Sequence, residues 1–449
     1  MSHTKLDRRH ALVIGGSHAG LLAARVLSGY FDKVTIVERD RIDHATTFRA
    51  GVPQGYHPHF LLARGARIIR GLFPGMLEEI AEAGSPFYDY SENIRLEFPS
   101  GWTPKTTCGI LIQGFSRPFL EQRIRHRVLA LDNVALVDGV TVDRLLFDKP
   151  PLRVVGAAGH DTAGHDREFP ADLVVAATGR GSRLDKWLSR EQVPAPAIKR
   201  IDVKVSYTSR IYQGPPDDGW KVTLAYLYAP HARRGGGILE LEAGTSMALA
   251  MGIDDEGCPT DEAAFLSFAK SMSFSNMADY IDGHEPINDL HRFVDHGDRW
   301  VQVHRAKNWP ERLLVIGDAL CRFNPIYGQG LTVAATHAQT LDHALKRTSF
   351  TRGDLTRAYH RRAALVSLTP WMMASSSDMM WDGGRHAGIL ARLSHGYLRL
   401  VIDRMPGDPD LFRRFSLLQH MLAGPWILAT PSVLWRLVRR PRPAIQQQV

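Results

Sequence analysis

Short apolar runs alternate with a helix-like segment at the start of the chain. Residues 11–14 and 34–37 are two such runs, rich in β-branched side chains, and they flank the helix-like stretch 21–27. Runs of this length are typical of buried strands, and the order strand, helix, strand predicts two parallel neighbours joined by a right-handed crossover. Two more runs of this kind, at 172–177 and 313–316, predict that distant parts of the chain complete the sheet.

The middle of the chain, residues 200–305, has a different pattern in which apolar and polar positions alternate. The alternating runs are 203–207, 222–228, 237–241 and 246–251. Turn-rich segments at 213–219 and 233–236 interrupt them, so the pattern predicts an antiparallel sheet with one solvated or ligand-facing side. Another turn is predicted at 156–161, directly after a strand at 152–155.

Helices are predicted at 119–130, from about Gly330 to Lys346, and throughout the last eighty residues, which are rich in Met, Trp and Leu. Residues 425–440 mix apolar bulk with arginine. This composition fits either a helix lying in a membrane interface or a helix docked on the protein with basic ends. The methionines near residues 372–381 fit either the roof of a pocket for a flexible apolar chain or a Met-rich core.

Composition narrows the classes of function. The 449 residues suggest two or three domains, and 44% hydrophobic with 23% charged residues is typical of soluble globular proteins. A net charge of +8 is compatible with a nucleic acid, a membrane surface or an anionic ligand. Lys and Arg are spread along the chain rather than gathered in one block, which disfavours nucleic acid.

Cysteine usage and the chain start bear on the compartment. Cys108, Cys258 and Cys321 have no paired spacing, which argues against a disulfide framework and against a zinc site, so no metal is expected. Residues 1–10 are polar and lack the apolar core of a signal peptide, and no stretch is apolar enough to span a bilayer. The sequence predicts a cytoplasmic protein, with peripheral membrane contact through the C-terminal segment as an alternative.

The first strand–helix connection, Gly15-Gly16-Ser17-His18-Ala19-Gly20, is a broken nucleotide-binding fingerprint. Gly15 permits the tight turn, Gly20 lets the helix pack on the strand, and the helix N-terminus offers N–H groups to a phosphate, although Ser17 replaces the middle glycine. Glu38, 23 residues after Gly15, ends the second strand and can accept hydrogen bonds from ribose hydroxyls. The alternative is a structural turn followed by a solvated glutamate.

A second glycine-rich strand end lies some 300 residues later. The Asp318 carboxylate of Gly317-Asp318 suits hydrogen bonding to a polyol chain, such as the ribityl chain of FAD. Gly328 and Gly330 let backbone N–H groups approach a planar ring, and the following helix dipole favours negative charge there. Two such turns, one at each end of the chain, favour FAD over NAD.

The chain resembles the class A FAD-dependent monooxygenases, which have the aromatic-hydroxylase fold, in the motifs Gly15–Gly20, Glu38, Gly317-Asp318 and Pro325–Gly330. It is most similar to flavin-dependent epoxidases of polyether antibiotic biosynthesis in the motifs Gly51-Val52-Pro53-Gln54, His57-x-His59, Thr178–Arg183 and Phe323–Gly328. The resemblance covers landmarks from about residue 10 to 345 and is weak from 185 to 300.

The resemblance implies that Asp318 binds the ribityl chain and that Glu38 binds the adenosine ribose. It implies that Arg117 meets the FAD phosphates, the alternative being a surface arginine at a helix start. The residues expected to bind the cofactor are Gly15, Ser17, Gly20, Glu38, Arg39, Arg117, Thr178, Gly179, Gly317, Asp318, Pro325, Gly328, Gly330 and Leu331. The catalytic candidates are Pro325, Tyr327, Gly328, His57 and His59, the two histidines having a purely structural role as the alternative.

The implied reaction is transfer of one oxygen atom from a flavin C4a-hydroperoxide to a lipophilic unsaturated secondary metabolite, a polyketide or terpenoid. Alkene epoxidation is preferred because no residue pairing stands out as the base that phenol hydroxylation needs. Hydroxylation of an aromatic or phenolic substrate and flavin-dependent reduction of isoprenoid double bonds are the alternatives. Flavin halogenases are also related, but their Trp-x-Trp-x-x-Pro motif is absent.

The electron donor is left open between NAD(P)H and a separate flavin reductase. Many class A hydroxylases end the relevant strand in Asp-Gly, whereas this chain has Thr178-Gly179. The expected fold is α/β (α+β), with a Rossmann-like FAD-binding domain, an inserted and mostly antiparallel substrate-domain sheet and a helical C-terminal region. The expected bounds are 1–85, 105–185 and 300–365 for the FAD-binding domain, 86–104 and 186–299 for the substrate domain, and 366–449 for the C-terminal region.

Overall fold

The structure of the protein is a computed structural model, which describes residues 10–43, 48–150, 152–216, 218–254, 256, 258–274, 276–347 and 354–438. The polar start expected at 1–9 and the end of the C-terminal region, 439–449, lie outside these residues.

Strands occur in both parts of the chain where they were predicted, that is, where the sequence has continuous apolar runs and where apolar and polar residues alternate. In chain order they are β1 (His10–Ile14), β2 (Lys33–Val37), β3 (Tyr88–Asp89), β4 (Ile94–Phe98), β5 (Gly101–Trp102), β6 (Leu111–Ile112), β7 (Val134–Val137), β8 (Val140–Asp148), β9 (Arg153–Asp161), β10 (Asp166–Pro170), β11 (Leu173–Ala176), β12 (Ile198–Ile201), β13 (Val205–Gln213), β14 (Val222–Ala225), β15 (Arg234–Glu240), β16 (Thr245–Ile253), β17 (His291–Asp295), β18 (Asp298–Val301), β19 (Leu313–Val315) and β20 (Cys321–Arg322).

Helices pack on the faces of the sheets and form the C-terminal region. In chain order they are α1 (His18–Leu27), α2 (Ala63–Leu72), α3 (Met76–Glu82), α4 (Tyr90–Asn93), α5 (Arg117–Leu129), α6 (Leu184–Arg190), α7 (Glu262–Lys270), α8 (Asn276–Gly283), α9 (Gly330–Arg347), α10 (Asp354–Asp378), α11 (Ile389–Arg404), α12 (Pro409–Gln419) and α13 (Pro431–Val438).

The predicted parallel sheet is confirmed. Its strands run in the order β19-β11-β1-β2-β7, and every neighbouring pair is parallel. The central strand β1 is buried on both faces, with Leu12 and Val13 fully buried, which explains its continuous apolar run. Helices α1, α5 and α9 share one hydrophobic core with this sheet. The carboxyl ends of β1, β11 and β19 therefore meet at one edge, where ligands bind in open α/β sheets.

A second large sheet has the order β17-β13-β16-β15-β14-β4-β5. Its pairs are antiparallel except β14 with β4, so the prediction of a mostly antiparallel inserted sheet is confirmed. Helices α7 and α8 share a core with one face, and the C-terminal helices share a core with the other. Smaller sheets have the orders β10-β9-β8, β12-β18-β20 and β3-β6.

Two predicted turns are strands in the structure. Residues 156–161 lie within β9, which pairs with both β8 and β10, and residues 234–236 begin β15. The glycines that indicated turns are there because neighbouring strands approach too closely for a side chain. A Cβ atom on Gly159 would lie 1.8 Å from the carbonyl oxygen of Thr141. Glycine in a strand can mark close backbone contact as well as a turn.

The C-terminal region is helical, as predicted. Helix α10 begins before the expected boundary at 365/366 and continues through Pro370 to Asp378. Among the residues that the structure describes, no helix is both long enough and apolar enough to cross a membrane.

Candidate functional site

A cavity of about 670 Å³ lies between the carboxyl edge of the parallel sheet and one face of the seven-stranded sheet. The expected site residues that line it are Gly15, Ser17, Glu38, Arg39, His57, His59, Arg117, Thr178, Gly179, Asp318, Pro325, Gly328, Gly330 and Leu331. Three other expected residues do not line the cavity and lie behind its wall; these are Gly20, Gly317 and Tyr327. Residues from both ends of the sequence thus meet in one cavity.

The first turn has the geometry that its glycines indicated. Gly15 has φ +110°, and a Cβ atom there would lie 2.4 Å from the carbonyl oxygen of Ala177 at the end of β11. A Cβ atom on Gly20 would lie 1.8 Å from the carbonyl oxygen of Gly15, so helix α1 packs directly on the turn. The backbone N–H of Gly16 donates to Glu38 Oε2 at 2.6 Å, which fixes this carboxylate beside the helix N-terminus.

A buried cluster of charges lies at the N-terminus of α1, where a dinucleotide pyrophosphate binds in Rossmann-like folds. The Glu121 carboxylate forms ion pairs with the guanidinium groups of Arg49 at 2.5 Å, Arg125 at 3.0 Å and Arg117 at 3.3 Å. The Ser17 hydroxyl also donates to Glu121, at 2.6 Å. Three guanidinium groups share this carboxylate, and Arg49 also lies 3.5 Å from Glu38 and 3.7 Å from Asp40. The cluster therefore places guanidinium donors, which suit a phosphate, beside the turn.

The cluster holds the Glu121 carboxyl in its charged form. Burial by itself raises the pKa of Glu121, but Arg117, Arg49, the Ser17 hydroxyl and Arg125 together outweigh burial and lower the pKa to about 2. Arg117 was predicted from the sequence, whereas Arg49, Glu121 and Arg125 were not. The four-residue spacing of Arg117, Glu121 and Arg125 on a predicted helix was the signal that could have found two of them.

Glu121→Gln is expected to lower the free energy of unfolding at pH 7 by about 3 kcal/mol, because it leaves buried arginines without their shared carboxylate. A depressed folded pKa stabilises the fold above the unfolded value of 4.5 and loses this effect as the pH falls through about 2. The difference between variant and parent should therefore vanish towards pH 2 in urea unfolding. Glu168→Gln, which breaks the exposed pair with Arg144, is the control and should cost less than about 1 kcal/mol.

Asp318 lies in the turn that follows β19 and lines the cavity. Its Oδ2 atom is 3.6 Å from Nε of Arg180, which also pairs with Asp295. The Arg180 guanidinium lies 5.5 Å from the centre of the Phe293 ring. Arg180, which belongs to the Thr178–Arg183 motif but was not among the predicted site residues, therefore links the Thr178-Gly179 turn to Asp318.

The late glycine-rich loop runs along the cavity between these turns and helix α9. Residues 325–327 form one turn of 3₁₀-helix, and Gly328 follows with φ +62°. Pro325, Ile326 and Gly328 line the cavity, whereas the Tyr327 hydroxyl points away and donates to Asp378 Oδ1 at 2.6 Å. The structure therefore does not bring Tyr327 into the cavity wall as a catalytic candidate, because its side chain is held in the layer behind.

His57 and His59 line the cavity but are poor bases. The pKa of His57 is lowered to about 3, mainly by burial and to a smaller extent by the neighbouring His291. The pKa of His59 is also lowered to about 3, mainly by burial and to a smaller extent by Arg117. His57 Nδ1 lies 2.8 Å from Ser209 Oγ, and His59 Nδ1 lies 2.9 Å from the His57 carbonyl oxygen. Both imidazoles are therefore neutral at pH 7.

The end of the cavity against the seven-stranded sheet is largely apolar. Side chains from β14, β15, β16 and β17 line it: Leu224, Leu239, Leu249, Met251 and Phe293. Tyr207 adds a hydroxyl that has no hydrogen-bond partner among the described residues, and burial raises its pKa well above the ordinary value. His57 Nε2 also lacks a partner there. This chamber suits an apolar ligand that carries a neutral polar group.

The residues of the cavity fit FAD. Arg49 and Arg117 lie at the N-terminus of α1, Glu38 lies beside it, and Asp318 lines the same cavity. Buried polar atoms without hydrogen-bond partners belong to residues that line the cavity. Two such atoms within the described residues are Thr178 Oγ1 and Gln329 Oε1. They are free to bind the polar edge of a ligand.

Solved structures of flavoproteins have the same fold. A flavoprotein/dehydrogenase from Cytophaga hutchinsonii aligns with a TM-score of 0.68 at 15% identity, over 95% of this chain and 96% of that one. The p-nitrophenol 4-monooxygenase PnpA from Pseudomonas putida DLL-E4 aligns with a TM-score of 0.66 at 15% identity, over 93% and 98%. The flavin-dependent brominase Bmp2 aligns with a TM-score of 0.61 at 16% identity, over 88% and 93%.

These similarities show that the chain has the fold of the FAD-dependent monooxygenases. No family model matches the chain. The chain belongs to the family of protein Rv3254 of Mycobacterium tuberculosis (strain ATCC 25618 / H37Rv). The two are 35% identical over 440 residues, which covers 93% of this chain and 91% of the relative.

Proposed function

We propose that the protein is an FAD-dependent monooxygenase that inserts one oxygen atom into a lipophilic unsaturated secondary metabolite, with alkene epoxidation as the reaction. One observation carries the proposal. A single cavity joins two nucleotide-type turns, from opposite ends of the sequence, to an apolar chamber on the seven-stranded sheet. A dinucleotide and an apolar substrate can therefore lie in contact within it.

The residues of the chain have distinct roles in this proposal. Arg117 and the N–H groups at the start of α1 bind the pyrophosphate, Glu38 binds the adenosine ribose, and Asp318 binds the ribityl chain. The backbone of Pro325–Gly330 borders the ring. Reduced flavin supplies the activation of molecular oxygen, while the chamber excludes water and orients the substrate. The division into residues 1–85, 105–185 and 300–365 for the cofactor remains part of the proposal.

The pKa shifts of His57, His59 and Tyr207 favour epoxidation over phenol hydroxylation. Hydroxylation of a phenol is assisted by a base that draws off its proton. His57 and His59, whose pKa values are lowered to about 3, are too weak for this task, and Tyr207 stays protonated because burial raises its pKa. An alkene attacks activated oxygen through its own π electrons and needs no base.

Hydroxylation of an aromatic substrate is the second candidate. The unpartnered Tyr207 hydroxyl and His57 Nε2 could bind a polar substituent on an aromatic ring. The fold similarity to PnpA, a p-nitrophenol 4-monooxygenase, is compatible with this alternative. The electron donor is proposed to be NAD(P)H or a separate flavin reductase.

The test is oxygen-isotope labelling of the product. FAD-loaded protein is given ¹⁸O₂, polyene, terpenoid or phenolic substrates, and electrons from NADH, NADPH or an added reductase. We expect one ¹⁸O atom in an epoxide, at a rate that changes less than about twofold when His57 is replaced by Gln, because no proton is removed from the substrate. Oxygen consumption without labelled product, or product formation without oxygen, would contradict the proposal. A labelled phenol whose formation requires His57 would establish the second candidate.

A further inference from the structure

Two buried carboxyl groups lie directly behind the loop that faces the cavity. Asp298 begins strand β18 and is 1% exposed, while Asp378 ends helix α10 and is 2% exposed. Neither residue lines the cavity. Burying an isolated carboxylate charge is energetically costly. Binding of a ligand in the cavity does not by itself explain why two acids are buried here.

Hydrogen bonds connect the pair to the loop. The backbone N–H of Asn324 donates to Asp298 Oδ1 at 2.7 Å, and the Asn324 side-chain amide donates to Asp378 Oδ2 at 3.0 Å. The Tyr327 hydroxyl donates to Asp378 Oδ1 at 2.6 Å, and Trp381 Nε1 donates to the same atom at 3.3 Å. The carboxyl pair thus holds both ends of the turn 324–327 from the side away from the cavity.

The pair retains a proton at neutral pH. Burial and the neighbouring Asp378 raise the pKa of Asp298 well above its ordinary value. Burial raises the pKa of Asp378 to about 6, although hydrogen bonds from Tyr327 and Asn324 act in the opposite direction. Asp298 is therefore the protonated partner at neutral pH, and Asp378 is the charged one. The other titratable or charged groups that face the pair are Tyr327, Tyr226, Tyr207, Arg322 and Cys321.

We propose that Asp378 is a positioning residue which, together with Asp298, holds the turn 324–327 against the flavin ring and so makes the C-terminal helix α10 part of the cofactor site. This inference rests on the proposed function, because it requires FAD in the cavity. Charge on Asp378 strengthens the hydrogen bonds from Tyr327 and Asn324. Protonation of Asp378 weakens them and loosens the turn.

The test compares Asp378→Asn with Asp382→Asn in the full chain. Asp382 lies in the segment after α10, is exposed and accepts from the local backbone N–H of Gly384, so its substitution is the matched control. FAD is titrated into apoprotein by fluorescence from about pH 5 to 8. For the parent and the control, affinity should fall about tenfold as the pH drops through about 6. For Asp378→Asn, affinity at pH 7.5 should be about tenfold weaker and independent of pH over this range.

A second variant covers the case in which Asp378→Asn does not fold. Tyr327→Phe keeps the ring and the carboxyl pair but removes one donor to Asp378. It should weaken FAD binding about threefold or more at pH 7.5 and shift the midpoint of the pH dependence upward, because a donor that stabilises the Asp378 charge is gone. A merely structural role would lower the apoprotein's thermal stability without moving that midpoint.

The outcomes separate this inference from the proposed function. Failure of the parent protein to bind FAD overturns both. If the parent binds FAD and incorporates oxygen, but Asp378→Asn and Tyr327→Phe keep its affinity and its pH midpoint, only the positioning role is overturned. A pH midpoint near 6 that disappears in Asp378→Asn and persists in Asp382→Asn supports the role.

Discussion

Asp318→Ala is expected to weaken FAD binding by at least about 100-fold. The carboxylate lies at the cavity surface, where its two oxygens can each accept a hydrogen bond from a ribityl hydroxyl. Hydrogen bonds to a charged group contribute about 1.5–3 kcal/mol each, and each 1.4 kcal/mol corresponds to a factor of ten. The variant also leaves Arg180 without one of its two carboxylate partners. Fluorescence titration of apoprotein with FAD measures the change.

The controls for this prediction separate binding from folding. Asp318→Asn keeps one acceptor of the same shape and should lose less affinity than Asp318→Ala. Thermal unfolding of the two apoproteins should differ little from the parent, because Asp318 is partly exposed and its contact with Arg180, at 3.6 Å, is not a hydrogen bond. Tight retention of FAD by Asp318→Ala would contradict the assignment of this turn to the ribityl chain.

The parallel sheet was predictable because its signals are local. Apolar runs at 11–14, 34–37, 172–177 and 313–316 correspond to β1, β2, β11 and β19, and buried strands need only a continuous apolar run between turn residues. The turn predicted at 156–161 was wrong because a glycine in a sheet protein can be required for two different reasons. One cause is a turn, which is local, and the other is a neighbouring strand, which a single sequence does not reveal.

The contacts of the buried charged residues that do not line the cavity, such as Arg49, Glu121 and Asp378, were not predictable in the same way. Arg49 and Glu121 are 72 residues apart, and Asn324 and Asp378 are 54 residues apart, yet each pair is in hydrogen-bond contact. Such contacts depend on how the loops and helices pack, and their members look like ordinary surface residues in the sequence. Tyr327 is an example. Its position in a cavity-facing motif predicted a catalytic side chain, but its hydroxyl donates to Asp378, which does not line the cavity.

The two glycine-rich turns differ in what they can specify. A glycine-rich turn such as Gly15–Gly20 followed by an acid such as Glu38 is a general feature of Rossmann-like dinucleotide sites. It therefore indicates a dinucleotide without specifying which one. Asp318 and residues of the loop up to Gly330 line the same cavity. The loop is fixed from behind by residues of β18 and α10, which ties the C-terminal region to the cofactor half of the fold.

Gly15→Ala is expected to lower the free energy of unfolding by about 3 kcal/mol and to abolish measurable FAD binding. Alanine at φ +110° is strained by about 1–3 kcal/mol, and its Cβ would lie 2.4 Å from the carbonyl oxygen of Ala177. The turn must move away from β11, which displaces the N-terminus of α1 and its N–H groups from the pyrophosphate position. Urea unfolding of the apoprotein and FAD titration measure the two effects.

Gly29→Ala is the matched control, because Gly29 lies two residues beyond the end of the same helix. A Cβ atom there has one neighbour within 4 Å, the carbonyl oxygen of Val26 at 3.6 Å, which is ordinary contact. This variant should change stability by less than about 1 kcal/mol and leave FAD binding intact. If Gly15→Ala behaved like Gly29→Ala, the first turn would tolerate a side chain, and the pyrophosphate would have to bind elsewhere. Because the same Cβ conflict involves β11, loss of FAD with unchanged stability would likewise contradict the expected displacement of the turn.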